Sequence, residues 1–461
     1  MVKFLYKKLA IIVFLLVFFV VGEYCESDAE DNNVRVLTID EFIERASNRD
    51  TNFEEIMTEE LKLNYSKDLQ LPAGDIILSV KSEYQLQNPD EGSKSVSLEK
   101  LFPYLGAQIT AQYSTSRSEL SDNRDSQFSV YFSQPVARNA FGRTTRIRDK
   151  IIGAETELAK YQITEAYEDY LAIVITAYYN WYFSYENVKI GESSYQQSLR
   201  LLENIKQRRK NNIALPIDVN KVNIQVLAKK ENLVELEEEY QNLLNKVKQI
   251  IRYDKGEQII PVDPFMYKKR EIDFEEEYKN FKSTSRTYSI LNLLEEKTEL
   301  DVKKEAGDIL PSANLLLGVE TQGKGVDIKN SENDLYAGLS FTWPFPSVKE
   351  RAELRISEIE KRRQSLSNEN KYLQLDTDLK NLFLSIQREK KLISIADEKI
   401  SLAESVLEDE RENYSYGRVS LNDYIAAVNI VDQNRFSKLN HSVRLKILMT
   451  EWLRITDQLI N

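Results

Sequence analysis

The chain has 461 residues, 30% of them charged and 42% hydrophobic, and a net charge of −12. This is globular composition, and an acidic chain without a basic block lacks the Lys and Arg that displace counterions from nucleic acid. A single Cys (Cys25) and a single His (His441) exclude a disulfide framework, a His/Cys zinc site and a Ser-His catalytic arrangement away from His441, itself expected as a surface or half-buried helix residue.

Residues 1–22 read as a signal peptide. Lys3, Lys7 and Lys8 precede an apolar run at 9–21, and Val20 and Gly22 are small enough for a cleavage site. The run is shorter than the roughly 20 residues that span a bilayer. Losing the three lysines takes the net charge from −12 to about −15, which suits a lumen that favours cations. Cys25 raises the possibility of lipid attachment, but Tyr24 stands where such a site takes a small residue, and the sequence leaves the point open. No other run approaches membrane-helix length, so a membrane span would have to be a β-barrel.

Thr38 and Glu41 have the spacing of a capping box that opens a helix. Alternation of apolar and polar residues then marks strands. The stretch 75–86 alternates and is either an additional strand or part of a collar. The clearer strands are 107–116, 127–134, 313–321 and 334–343; 313–319 is less clean because Leu316 falls on its polar face. One apolar and one small polar face suits a half-solvated sheet, and equally a membrane barrel with a wet lumen.

Each pair of strands leads into a long helical hairpin. Residues 143–211 contain no Pro, and Pro216 suits the first turn of the returning arm. After Pro346 there is no Pro, and Gly417 is the one glycine beyond Pro344. The arm 347–416 would be about 100 Å long at 1.5 Å per residue, which points to a coiled coil or a helical barrel. The two halves align at Ser133-Gln134-Pro135 with Thr342-Trp343-Pro344, and at 212–218 with 417–423. The chain therefore reads as an internal duplication: a signal peptide at 1–22, a first repeat at 23–260 with its hairpin at 143–253, and a second repeat at 261–461 with strands at 313–343 and its hairpin at 347–458.

The fold class expected is mainly α with a small antiparallel β part. The start Leu37-Thr38-Ile39-Asp40-Glu41, the two strand exits, the tip Tyr414 to Tyr424 and the closing helix with Asn434, Arg435, Leu439, Val443, Leu453 and Thr456 together resemble the TolC-like outer-membrane factor family over roughly residues 36–460. The resemblance implies a homotrimer in outer-membrane lipid. Each copy would give four strands to a 12-stranded β-barrel and its helices to a periplasmic α-barrel. The implied function is a passive exit duct of a tripartite efflux pump or type I secretion system, with a periplasmic adaptor and an inner-membrane transporter as partners. The resemblance also implies that the tips constrict the tunnel and dock the adaptor, through Asn212, Ile213, Ala214 and Leu215 on the first hairpin and Gly417, Arg418, Val419 and Ser420 on the second. In the family an acidic residue on the first tip is linked to a Tyr and an Arg on the second. Asp218 and Tyr414 match, whereas Val419 holds the Arg position and Arg418 lies one residue early. Asp423 matches an acidic ring at the tunnel entrance, and Ala426 stands where a second acidic residue can occur. Asp218 and Asp423 also lie in first helical turns, where a carboxylate stabilises the macrodipole; the roles are compatible.

No P-loop, Gly-rich dinucleotide motif, nucleophile elbow or metal-spaced cluster is present, so neither an enzyme nor a cofactor is expected. The alternative, a periplasmic coiled-coil adaptor or structural protein, would carry one hairpin with Gly-rich flanking half-motifs, or would need no alternating strands.

Overall fold

The computed structural model describes residues 34–72, 74–84, 92–118, 121–253, 258–266, 271–324 and 333–460. The leader at 1–22 and Cys25 lie outside the described residues. So do the last two positions of the alternating stretch 75–86.

In chain order the elements begin with β1 (Val34–Leu37), α1 (Ile39–Arg49), α2 (Thr51–Leu63) and α3 (Ser66–Gln70). Thr38 caps α1 by accepting from the Glu41 N–H at 3.2 Å. The other half of the expected box is absent, because the Glu41 carboxylate is taken by Arg35 and Arg45. Then come β2 (Ile76–Tyr84), β3 (Gly92–Phe102), β4 (Ala107–Ser118) and β5 (Ser121–Pro135), followed by α4 (Arg143–Lys210), α5 (Pro216–Ile250) and β6 (Gln258–Pro261). The second half holds α6 (Phe274–Thr284), α7 (Arg286–Asp308), β7 (Ser312–Lys324), β8 (Asn333–Thr342), α8 (Val348–Ser415) and α9 (Leu421–Ile455).

The duplication is metrical. Both first arms, α4 and α8, have 68 residues, and both returning arms, α5 and α9, have 35. At 1.5 Å per residue the long arms extend about 100 Å. α4 packs against α5 on one side and α9 on the other, and α8 packs on α9. Nearer the sheet, α7 fills the space between α4 and α8.

Two cores lie around the middle of the molecule. In one, Tyr178 and Trp181 of α4 are fully buried with Phe42 and Ile259. The Tyr178 hydroxyl lies 2.9 Å from the carbonyl oxygens of both Leu37 and Val262. It thereby ties α4 to the parallel pair β1–β6 that joins the two ends of the first repeat. The tyrosine-rich run 178–183 is thus helix-bundle core. In the other core Trp452 packs with Leu379, Ile386 and Phe281.

Among the described residues one sheet has six antiparallel strands in the order β2-β3-β4-β5-β7-β8. The four expected strands are there: β4 and β7 run a few residues longer than read, β5 begins six residues earlier, and β8 is displaced by one residue. The stretch beginning at Asp75 enters the sheet as a strand, β2, rather than a collar. β3 went unread in the sequence, and with it the sheet exceeds the four strands implied by the resemblance. Neighbouring registers place Leu78, Leu98, Ala111, Val130, Val319 and Leu335 in one row across all six strands. Leu78 is 63% exposed and Leu335 84%. The opposite face carries Ser79, Ser97, Gln112, Ser129, Glu320 and Asp334 in the adjacent row. Leu316 does lie on that polar face, opposite Gly338.

The turn between β3 and β4 is clasped by the start of α4. The Arg146 guanidinium donates to the Tyr104 carbonyl at 3.0 Å, and the Gln134 amide donates to the Leu105 carbonyl at 2.9 Å. Gly142 sits at φ +75°, where a Cβ would drive into the Tyr104 carbonyl.

Candidate functional site

The end of the molecule opposite the sheet is formed by two short loops, 211–215 between α4 and α5 and 416–420 between α8 and α9. Their backbones match. Asn212 at φ 62° and Gly417 at φ 73° take the left-handed conformation that closes a helix. In each loop the next N–H reaches five residues back: Ile213 to the Arg208 carbonyl at 2.8 Å, and Arg418 to the Asn413 carbonyl at 2.9 Å. Asn can stand for Gly here because its short polar side chain tolerates this region.

The returning helices open alike. The Asp218 carboxylate accepts from the Leu215 N–H at 3.0 Å. Asp423 accepts from the Ser420 N–H at 3.1 Å and from its hydroxyl at 2.7 Å, and the Asp423 N–H reaches back to Ser420 Oγ. Both aspartates therefore act as helix caps. Asp423 remains exposed, so its charge still faces water.

The two tips pack on each other. Leu421 of the second is buried among Leu202, Ile205, Val222 and Val226 of the first. Beside it the Tyr414 ring stacks on Tyr424, with centroids 5.7 Å apart and planes 8° from parallel. The Arg208 guanidinium lies over Tyr414 at 4.8 Å. Burial pushes the Tyr414 hydroxyl pKa up; Arg208 opposes this and the Asp218 charge adds to it. So the structure brings Asp218 and Tyr414 into electrostatic reach of each other. The cation, however, is Arg208 of the first hairpin. Arg418 instead lies over Tyr416 within its own loop, at 5.2 Å, because the one-residue offset that puts Val419 in the usual Arg position also turns Arg418 away from Tyr414. Arg208 belongs to the basic run 206–210 that ends α4. Its neighbours in that run are exposed, but Arg208 follows Leu202 and Ile205 at three-residue spacing and so shares their inward face.

Above the tip is a polar clamp that sequence reading missed. Asp432 of α9, 5% exposed, pairs with Lys229 of α5 at 2.9 Å and accepts from the Ser194 hydroxyl of α4. Gln225 donates to Asn429 alongside, at 2.9 Å. Three helices are joined at one carboxylate. A lone Asp in a helix with a Lys two hundred residues away has no local sequence signal.

The remaining loop residues Ile213 and Leu215 are exposed, as is Tyr416, while Ala214 and Val419 are half-buried. Among the described residues no cluster of His, Cys, Asp or Glu is arranged to hold a metal. His441 pairs with Glu389 at 2.7 Å inside the second hairpin. No helix of the described residues is long and apolar enough to cross a membrane.

No family model and no characterised relative matches the sequence. Solved structures do. Over 91% of both chains the structure superposes on CusC, a protein that forms a transmembrane channel, with a TM-score of 0.71 and 11% identity. It is similar to the outer membrane protein VceC of Vibrio cholerae, with a TM-score of 0.66 and 13% identity over 91% of this chain and 95% of that one. It is also similar to the CmeC outer membrane channel of Campylobacter jejuni, with a TM-score of 0.68 and 12% identity over 95% and 90%. A duplicated sheet-and-hairpin chain with its two tips packed together, superposing on these channels over nearly its whole length, has the TolC-like outer-membrane channel fold.

Proposed function

We propose that three copies of this chain assemble into an outer-membrane channel-tunnel, a passive exit duct. It would serve a tripartite efflux pump or a type I secretion system. The observation that carries this reading is a pair of surfaces that one copy leaves unsatisfied. The sheet exposes an apolar face and two open edges, and an open edge cannot stand in lipid. The outer helices carry apolar stripes that stay exposed among the described residues: Ile359, Leu366, Leu373, Leu384, Ile395 and Leu402 on α8, at steps of seven and eleven, and Ile217, Ile224 and Val234 on α5. Such spacing keeps a stripe on one side of a long helix. A ring of copies seats α5 of one against α8 of the next and closes the sheet into a barrel.

In this reading the leader at 1–22 exports the chain, the barrel sits in outer-membrane lipid and the helices reach into the periplasm. The tips Asn212–Leu215 and Gly417–Ser420 meet a periplasmic adaptor, with exposed Ile213, Leu215 and Tyr416 as its apolar contacts. Asp218, Tyr414 and Asp423 serve the tunnel entrance, the three copies of Asp423 forming a ring that favours cations. An inner-membrane transporter supplies the energy. The test is the state of the protein in outer-membrane fractions. A heat- or detergent-resistant trimer that conducts ions in planar bilayers is expected; a monomer soluble without detergent would overturn the reading.

A further inference from the structure

We infer that the barrel closes with six strands from each copy, eighteen in all, through β2 of one copy pairing with β8 of the next. This rests on the trimeric duct proposed above and departs from the twelve strands that the resemblance implies.

The decisive observation is at β4. A four-strand contribution would use β4, β5, β7 and β8, and β4 would have to pair with the β8 of a neighbour. Its outer edge is already taken. β3 pairs with β4 without a break from Gly92↔Arg117 to Phe102↔Ala107, and β2 pairs with β3 from Ile76↔Lys100 to Tyr84↔Gly92. Among the described residues the free edges are the outer sides of β2 and β8.

The extra hairpin also has the character of barrel wall. β2 has nine residues and β3 eleven, the length of a strand tilted across a bilayer. Its apolar side chains continue the belt at the same level, with Leu78 and Leu98 in the row of Val130 and Val319, and Val80 and Val96 in the row of Tyr113 and Phe128, while Lys94 and Lys100 stand on that face toward its two ends. On the other face Ser79, Ser95 and Ser97 continue the small polar lining of Thr110 and Gln112. A hairpin that covered a collar or lay on the barrel's outside would not keep both patterns in step.

The edge at β2 carries Lys81 and Glu83 but is otherwise open to pairing. It is unbroken by Pro or bulge, and Ile76, Leu78 and Val80 are 63–73% exposed. Such an edge is a template for another strand. With six strands alternating in direction, β2 and β8 run oppositely, so the seam is antiparallel like the rest of the sheet. Since diameter grows nearly linearly with strand number, an eighteen-stranded barrel is about 1.5 times as wide as a twelve-stranded one and leaves an aqueous channel.

The experiment is cross-linking in the full-length protein. Ser79→Cys and Glu83→Cys on the polar face of β2 are each combined with Asp334→Cys, Gly338→Cys or Ser340→Cys on the polar face of β8. Gln112→Cys on β4 is combined with the same three, and single variants serve as controls. Opposed side chains on antiparallel strands bring their Cβ atoms to about 5 Å, close enough for mild oxidation to join them. Disulfide-linked dimers and trimers on non-reducing gels from the β2–β8 series, with none from β4–β8, are expected. If the unlinked parent is a heat-resistant trimer and the links run through β4, or through neither series, the six-strand closure is overturned while the duct stands. If the parent is not a trimer, the duct reading itself falls and takes this inference with it.

Discussion

At the scale of single residues, three positions concentrate the physics. Gly142 holds φ at +75° directly beneath the Tyr104 carbonyl. Gly142→Ala is expected to cost about 1–3 kcal/mol, from a strained backbone plus the displaced turn, read as a lower thermal midpoint. Arg208 over Tyr414 joins the two tips across a cation–π contact. A partly buried pair of this kind is worth about 0.5–2 kcal/mol, so if the tips gate the proposed duct, Arg208→Ala is expected to shift their closed–open equilibrium about two- to thirtyfold toward open. Bilayer recordings would show it as longer or larger openings; unchanged conductance would remove Arg208 from the gate. Glu389 is the third. Burial, at 1% side-chain exposure, pushes its carboxyl pKa up, but His441 at 2.7 Å and Arg388 at 2.9 Å outweigh this and hold it below its ordinary value. A depressed carboxyl stabilises the folded chain above the unfolded pKa and loses that contribution as pH falls through the folded one. Stability should therefore drop on acidification below about pH 4.5, the ordinary glutamate value, and Glu389→Gln should flatten that drop in denaturation measured from pH 6 to 3. At the tips, Asp218 and Tyr414 could be singled out only because the tip sequence resembles the family's. Arg208 was hidden in a basic run because burial, not residue type, distinguishes it. Asp432 was hidden because its partners come from two other helices.

At the scale of elements, the hairpins were the easiest to read, since a Pro-free stretch of such length with regular apolar spacing has few alternatives. The returning arms begin where a residue at positive φ closes one helix and an Asp in the first turn opens the next, and both signals are local. β3 was missed for an equally physical reason. Its sequence from Gly92 to Phe102 has only Val96, Leu98, Leu101 and Phe102 as apolar members, with Lys94 and Lys100 on the same face as Val96 and Leu98. Its alternation is visible only once β2 and β4 stand on either side of it. The stripe on α8 is a feature of the element, and it makes a prediction there. Leu373, 63% exposed, lies midway along it, so Leu373→Asp is expected to abolish the trimer while leaving the helical circular-dichroism signal of the chain in place. Burying an unpaired carboxylate between subunits costs several kcal/mol, enough to dissociate a modest interface. A Leu373→Asp protein that still ran as a heat-resistant trimer would show that α8 does not face a neighbour.

At the scale of the whole molecule, the proposed duct makes the chain a wall segment rather than a closed body. Its buried clusters lie along the middle of the helices and at the tips, and among the described residues no long helix packs across the six-stranded sheet. The duct reading predicts that detergent extraction and heating leave an oligomer of three chains, and that a cation preference weakens when Asp423→Asn removes the ring, measured as the reversal potential in a salt gradient. Asp423→Ser is a useful companion, since Ser can still accept within the tip and separates lost charge from lost capping. What the sequence by itself determined was everything carried by local patterning: period-two strands, heptad-like arms, the duplication, and the turn chemistry at both tips. Tertiary structure alone decided which strands are neighbours, that β4 is walled in by β3, and which cation reaches Tyr414. The reason is one of range. Propensity, capping and amphipathic spacing act within a few residues of the chain, whereas strand neighbours and buried charge partners are chosen by packing between segments dozens to hundreds of residues apart.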